Sequence, residues 1–143
     1  MKIAIASDHG GYEMKEAIKQ HYQECDILDL GTDSTDSVDY PDFAKKMALT
    51  LFTKKADLGI LICGTGVGIS IAANRYKGIR AALIYSTEVA KLAKQHNNAN
   101  VLVFGGRTMA VDDVINSIDT FMQSEYEGGR HQRRLDKIED TEL

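Results

Sequence analysis

Cys63 stands at the head of the run Cys63-Gly64-Thr65-Gly66-Val67-Gly68-Ile69-Ser70, where residue types most clearly point to chemistry. Three glycines alternating with small residues let backbone amides approach an anion, and a helix beginning after the turn adds its positive end. A phosphate or an enediolate oxygen fits such a turn. A dinucleotide fits less well, because the spacing is G-x-G-x-G and the next β-rich stretch, Ile79 to Ile84, ends at Tyr85 without a ribose-binding acid. No Lys-Ser/Thr pair follows the glycines, which removes the P-loop reading. Backbone freedom alone also explains three glycines in a tight turn that holds no ligand. By type Cys63 is a small hydrophobe. Beside an anion site at a helix N-terminus, however, a thiolate is favoured, and a thiolate can take a proton from carbon. Cys25 has no glycine turn and no basic neighbours, and reads as structural.

Two more loops carry polar and glycine residues, Ser7-Asp8-His9-Gly10-Gly11 and Gly105-Gly106-Arg107. Asp8 can orient a histidine, hold a substrate hydroxyl or cap a helix. His96 falls in helical register with Val89, Leu92 and Ala93, the pattern of a core histidine, yet it also ends its helix, where Asn97, Asn98 and Asn100 read as a turn or a binding segment. Arg130 and Arg134 share a helix face, with His131 beside Arg130, so they form either a solvated stripe or a compact cation cluster suited to phosphate. No spacing reads as a set of metal ligands, and neither a metal nor a cofactor is expected.

These residues need a scaffold that brings three loops together. Short runs rich in β-branched residues alternate with amphipathic stretches, the pattern of strand–helix–strand units around a parallel sheet. Five strands are predicted, roughly Lys2 to Ser7, Asp26 to Leu30, Leu58 to Cys63, Ile79 to Ile84 and Asn100 to Phe104. Between them lie helical faces: Met14, Ala17, Ile18 and His21; Phe43, Met47 and Leu51; Val89, Leu92 and Ala93; then Val111, Val114, Ile115, Ile118 and Met122. Pro41 suits the first turn of the second helix. Leu135 and Ile138 form a thin apolar side on a last helix, one that suits docking on another subunit or on its own sheet. In open parallel sheets ligands sit beyond the carboxyl ends of the strands, and the three glycine-bearing loops lie there.

The bulk properties set the outer limits. With 143 residues, 43% of them apolar, the chain is sized for one domain over 1–143. Its net charge of -4 and pI near 5.5 leave no broad basic face for nucleic acid. No apolar segment approaches the length of a membrane span or a secretory h-region, so a cytoplasmic protein is expected.

Long motifs in order extend the reading. Ser7-Asp8-His9-Gly10-Gly11, Ser37-Val38-Asp39-Tyr40-Pro41-Asp42, the stretch from Gly59 to Asn74, His96-Asn97-Asn98-Ala99-Asn100-Val101 and Tyr126-Glu127-Gly128-Gly129-Arg130-His131 together resemble the type B ribose-5-phosphate isomerases. The wider group includes galactose-6-phosphate isomerase subunits. The resemblance covers nearly the whole chain. It implies a Rossmann-like α/β/α fold with three layers, a five-stranded parallel sheet and a C-terminal helix. It also implies that Cys63 shuttles a proton between C1 and C2 of an open-chain sugar phosphate, and that His96 assists ring opening. Asp8 and His9 would contact the sugar, Gly64, Thr65, Gly66, Val67 and Gly68 would cradle the enediolate, and Asn97 would bind substrate. Arg107, Arg130 and Arg134 would hold the phosphate. In that family the arginines of one subunit complete the site of another, which implies a homodimer or tetramer. Members without the cysteine carry a Glu where this chain has Ile69, so the cysteine version applies. The features retained here favour ribose 5-phosphate over a six-carbon substrate such as galactose 6-phosphate or allose 6-phosphate. A non-catalytic nucleotide- or flavin-phosphate-binding module is the remaining alternative.

Overall fold

Three of the five strands are buried at every residue, which is why their sequences are nearly continuous in apolar side chains. They are β1 (Ile3–Ser7), β3 (Leu58–Cys63) and β5 (Val101–Gly105), and the shorter β2 (Ile27–Asp29) and β4 (Ala81–Leu83) flank them in the order β2-β1-β3-β5-β4. The computed structural model describes residues 1–143, and every strand pairing in it is parallel. Register is set by pairs such as Ile5 with Ile60 and Cys63 with Gly105. The two edge strands are shorter than the sequence predicts. Each has a neighbour on one side only, and beyond these ends the pairing fades to single hydrogen bonds, the Leu30 amide to the Ile5 carbonyl at 2.8 Å and the Ile84 amide to the Val103 carbonyl at 2.9 Å.

Six helices cover both faces: α1 (Tyr12–His21), α2 (Tyr40–Phe52), α3 (Val67–Ala73), α4 (Thr87–Gln95), α5 (Val111–Gln123) and α6 (Arg130–Glu139). Alternation along the strands divides the core. Ile3, Ile5, Ile60, Ile62, Leu102 and Phe104 meet α1, α4 and α5 through Met14, Ile18, Ala93, Val114, Ile118 and Phe121. On the other face Ala4, Ala6, Leu61, Cys63 and Val103 meet Phe43, Met47, Ile69 and Ala73 of α2 and α3. Burying side chains such as Ile5, Leu61 or Ile118 contributes about 1.5–3 kcal/mol each. Pro41 occupies the first turn of α2 as predicted, and the Ser86 hydroxyl caps α4 by accepting the Val89 amide at 3.1 Å.

Several predicted packing positions differ. His21 and Met122 sit at the outer margins of their helices and are exposed, and Cys25 lies exposed in the turn after α1 rather than packed. Lys15, by contrast, is fully buried. Its ammonium lies 2.7 Å from the Asp29 carboxylate, which Lys19 also reaches at 2.7 Å, joining α1 to β2. Burial pulls the Asp29 carboxyl upward, but the hydrogen bonds from Lys15, Lys19 and the Gly31 amide outweigh it and hold its pKa below the ordinary value.

Helix α6 touches the rest of the chain at few points. Leu135 is buried, Glu139 lies 3.5 Å from Arg80, and Ile138 is left 56% exposed beside a groove of about 520 Å³ along β4. No helix is long and apolar enough to cross a membrane.

Candidate active site

The loops after β1 and β5 lead into α1 and α5 on one face of the sheet, while the loop after β3 leads into α3 on the other. Neighbouring strands whose connections depart in opposite directions open a crevice at their carboxyl ends. Cys63, the last residue of β3, forms its floor and is 5% exposed.

Backbone contacts lock the three loops together. The Gly106 amide donates to the Cys63 carbonyl at 2.8 Å, the Arg107 amide to the Gly64 carbonyl at 2.9 Å, and the Asp8 amide to the Ile62 carbonyl at 3.2 Å. A Cβ at Gly106 would stand 2.5 Å from the Gly10 carbonyl oxygen, so only glycine permits this approach. Gly66 requires its glycine for a second reason, having φ of 82° where the turn reverses into α3.

The turn itself holds unspent donors. The amides of Gly64, Thr65 and Gly66 have no acceptor within the protein. The Thr65 hydroxyl accepts the Val67 amide at 3.2 Å, which leaves its own proton free to donate. Arg107 lays its guanidinium across the turn: a Cβ at Gly64 would stand 3.1 Å from Arg107 Nη1, and Arg107 is exposed with no ion pair.

Asp8 is 6% exposed and caps the short 3-10 turn His9–Gly11, its Oδ1 accepting the Gly10 amide at 2.9 Å and the Gly11 amide at 3.2 Å. The capping reading therefore holds, and it fixes the loop that carries His9. His9 Nδ1 accepts the Val38 amide at 3.1 Å, so the neutral ring carries its proton on Nε2 as a free donor. Tyr40, the first residue of α2, was given no role by sequence reasoning. Its ring lies against the turn so closely that a Cβ at Gly68 would stand 2.6 Å from Tyr40 Cζ, and the residue is 38% exposed.

His96, Asn97, Arg130 and Arg134 are elsewhere. Helices of a parallel sheet run back against the strands, so His96, the C-cap of α4, lies at the amino edge of the sheet. The strand that follows, Val101 to Gly105, separates that edge from Cys63 by roughly 13 Å at about 3.3 Å per residue. Arg80, at the start of β4, donates to the carbonyls of Asn97 and Asn98, and the Glu127 amide donates to the Gln95 carbonyl, which anchors the approach to α6 at the same edge. Arg130 and Arg134 are exposed and form no ion pair.

Two expectations for this segment are corrected. His96 is not a core histidine but keeps 38% of its side chain exposed, because the helix ends before it can turn inward. His131 does not join the arginines on an outer cation face: it is 8% exposed and stacks on His96, with ring centroids 4.3 Å apart and planes at 15°. The Glu127 Oε1 atom faces both rings, 3.4 Å from His96 Nε2 and 3.6 Å from His131 Nε2. Sequence spacing gave no sign of this trio, because tertiary packing, not one helix, assembles it.

Sheet order and crevice define a doubly wound α/β protein with a switch point where folds of this class bind ligands. A family model described as Ribose/Galactose Isomerase matches residues 3–138, and the chain belongs to that family. It is 45% identical over 139 residues to the ribose-5-phosphate isomerase B of Escherichia coli, covering 96% of this chain and 93% of the other. The crystal structure of a ribose 5-phosphate isomerase from Thermotoga maritima superposes with a TM-score of 0.96 at 50% identity, covering 98% of both chains. A ribose-5-phosphate isomerase B from Mycoplasma genitalium, solved with bound ribulose-5-phosphate, has a TM-score of 0.90 at 47% identity, covering 96% of this chain and 93% of that one. The chain is a sugar-phosphate isomerase.

Proposed function

We propose that this enzyme interconverts ribose 5-phosphate and ribulose 5-phosphate through a cis-enediolate, with Cys63 as the base. The observation that carries the reading is the position of Cys63, on the crevice floor under a turn whose Gly64, Thr65 and Gly66 amides are free to receive negative charge. The thiolate takes the proton from C2 of the open-chain aldose and returns it to C1. The hydroxyl proton on O2 leaves as O1 is protonated, so the step is redox-neutral within the sugar. Charge that develops on the two oxygens meets the free amides and the Thr65 hydroxyl, donors already in place before the reaction. His9 Nε2 offers a further donor to sugar hydroxyls, on a loop that Asp8 holds rigid. Val67 and Gly68 complete the turn, and Arg107 supplies a cation beside it.

The same reading requires a second subunit. His96 for ring opening, Asn97 for the sugar, and Arg130 and Arg134 for the phosphate stand at the amino edge, and in a two-fold dimer that edge of one chain reaches the crevice of its partner. Exposed apolar side chains support such a contact: Val67, Ile71 and Tyr85 are 48%, 63% and 72% exposed around α3 and β4. The deciding experiment is turnover of the Cys63→Ala protein with ribose 5-phosphate and ribulose 5-phosphate. Loss of both directions with an unchanged circular dichroism spectrum supports the base, and substantial residual turnover removes it.

A further inference from the structure

We propose that Arg80 is a positioning residue for the reaction: its guanidinium holds the turn that presents His96 and Asn97, and it acts through that turn's backbone. The proposal rests on the roles given to His96 and Asn97 above. Helix α4 stops at Gln95, and the chain must reverse before it enters β5 at Val101. The reversal puts Asn98 at φ of 42°, a left-handed conformation that asparagine tolerates better than most side chains. The Asn98 and Ala99 amides close the helix end by donating to the Lys94 and Ala93 carbonyls at 3.1 and 3.0 Å. The carbonyls of Asn97 and Asn98 then lie past the last helical bond, with no backbone amide to accept. Arg80 takes both. Its Nε donates to the Asn97 carbonyl at 3.2 Å and its Nη2 to the Asn98 carbonyl at 2.9 Å. The backbone of Arg80 is fixed in turn, its amide donating to Asn100 Oδ1 at 2.8 Å and its carbonyl accepting the Asn100 amide at 3.1 Å.

The arrangement needs a planar fork. Two carbonyls from adjacent residues are met by two N–H groups of one rigid plane, which the point charge of a lysine cannot reproduce. Only 23% of the Arg80 side chain is exposed, so these bonds form largely out of water, where they are stronger. Arg80 Nη1 also lies 3.5 Å from Glu139 Oε1, so the same group reaches α6, the helix of Arg130 and Arg134. One side chain thereby sets the ring-opening groups relative to the phosphate-binding ones, and a misplacement of about 1 Å at such groups costs up to about 10²-fold in rate. A guanidinium that only braced the sheet would affect both directions of the reaction equally. One that aims His96 is felt most with ribose 5-phosphate, whose ring must open. It is felt least with ribulose 5-phosphate, whose C5 oxygen carries the phosphate and cannot close a ring on the C2 carbonyl.

The test compares Arg80→Lys with Asn74→Ala in the full-length protein. Asn74 grips the next residue along, its side chain bonding the Ala81 amide and carbonyl at 2.8 and 2.9 Å, so its loss loosens β4 without touching the fork. Turnover is measured from both sugars, and amide hydrogen exchange is followed at Asn98 and Ala99. We expect Arg80→Lys to lose about tenfold or more from ribose 5-phosphate and less than about threefold from ribulose 5-phosphate. Exchange at Asn98 and Ala99 should quicken by about tenfold or more, with protection kept at Leu102 and Val103 in β5. Asn74→Ala should lower the thermal midpoint without a selective loss. Unchanged exchange at Asn98 and Ala99 in Arg80→Lys overturns the proposal in every case. His96→Asn, measured alongside, separates the two readings. Where it shows the selective loss, an equal loss in both directions for Arg80→Lys also overturns the proposal, as does the same selectivity in Asn74→Ala. A His96→Asn protein without selective loss counts instead against ring opening by His96, and the exchange result alone then decides whether Arg80 holds the turn. Arg80→Gln, which keeps one planar donor, replaces a lysine variant that fails to fold and is judged by the same outcomes.

Discussion

The Gly106 amide donates to the carbonyl of Cys63 at 2.8 Å, so the proposed base is held at its own backbone by the loop that carries Arg107. Cation and thiol are thereby set on one rigid frame, and the chemistry of the crevice can be addressed one residue at a time.

Removing the proposed base should lower kcat by about 10²–10⁴-fold, the usual range for a positioned proton-transfer group. Cys63→Ala deletes a single buried sulfur, so the thermal midpoint should fall only slightly. Parallel turnover and melting measurements separate the two effects. A collapse of stability with no selective loss of turnover would assign Cys63 to packing alone.

The proposed sharing of each site between two subunits gives a quantitative expectation. Inactive Cys63→Ala and inactive Arg130→Ala chains, mixed equally and allowed to exchange, form mixed dimers in about half of all pairs, and one of the two sites in each is intact. Activity should recover to about a quarter of that of the unaltered protein. Recovery absent after exchange has been verified by mass spectrometry would place both residues in the same chain's site.

Gly66→Ala forces a side chain into a left-handed conformation, where its Cβ would lie 2.6 Å from Leu83 Cδ1 and 3.0 Å from the Phe104 carbonyl oxygen. We expect a loss of about 1–3 kcal/mol of stability together with most activity, read from denaturant midpoints and kcat. A native midpoint would show that the turn can relax without its glycine.

Asp29 makes the acid limb of stability predictable. Its carboxyl pKa is held below the ordinary 3.8 by Lys15, Lys19 and the Gly31 amide. The native state therefore binds fewer protons than the unfolded chain over that range. The stabilisation is fully present above the unfolded pKa and is lost as pH falls through the folded one. Asp29→Asn should lower the melting temperature at pH 6 and flatten its decline between pH 4 and pH 2. An acid limb as steep as that of the unaltered protein would mean that other carboxylates govern it.

Much of this architecture was legible in the sequence because parallel strands and amphipathic helices leave periodic traces. The runs from Ile3 to Ser7 and Leu58 to Cys63 emerged as strands, and the three glycine-bearing loops met at one edge as the sheet rule requires. Boundaries differ at β2 and β4, which pair on one side only, because sequence does not reveal which strands are outermost. Tyr40 escaped notice because its contact with Gly68 joins residues far apart in the chain. His131 was misread because its neighbours Arg130 and Arg134 made it look solvated, whereas a stacking partner from another helix drew it inward. The separation of His96 from Cys63 follows from the direction in which each helix returns along the sheet, a property of topology that no local pattern encodes.

That separation also bears on how copies of the chain assemble. If the amino-edge groups complete another copy's crevice as proposed, the molecule has a head and a tail, and such units, joined in one direction only, grow into open filaments. Two copies related by a two-fold axis instead satisfy both ends at once and leave no reactive tip. In the proposed assembly, finite size and full occupancy of both crevices are the same geometric event, so dilution that parts the copies would extinguish both centres together rather than one by one.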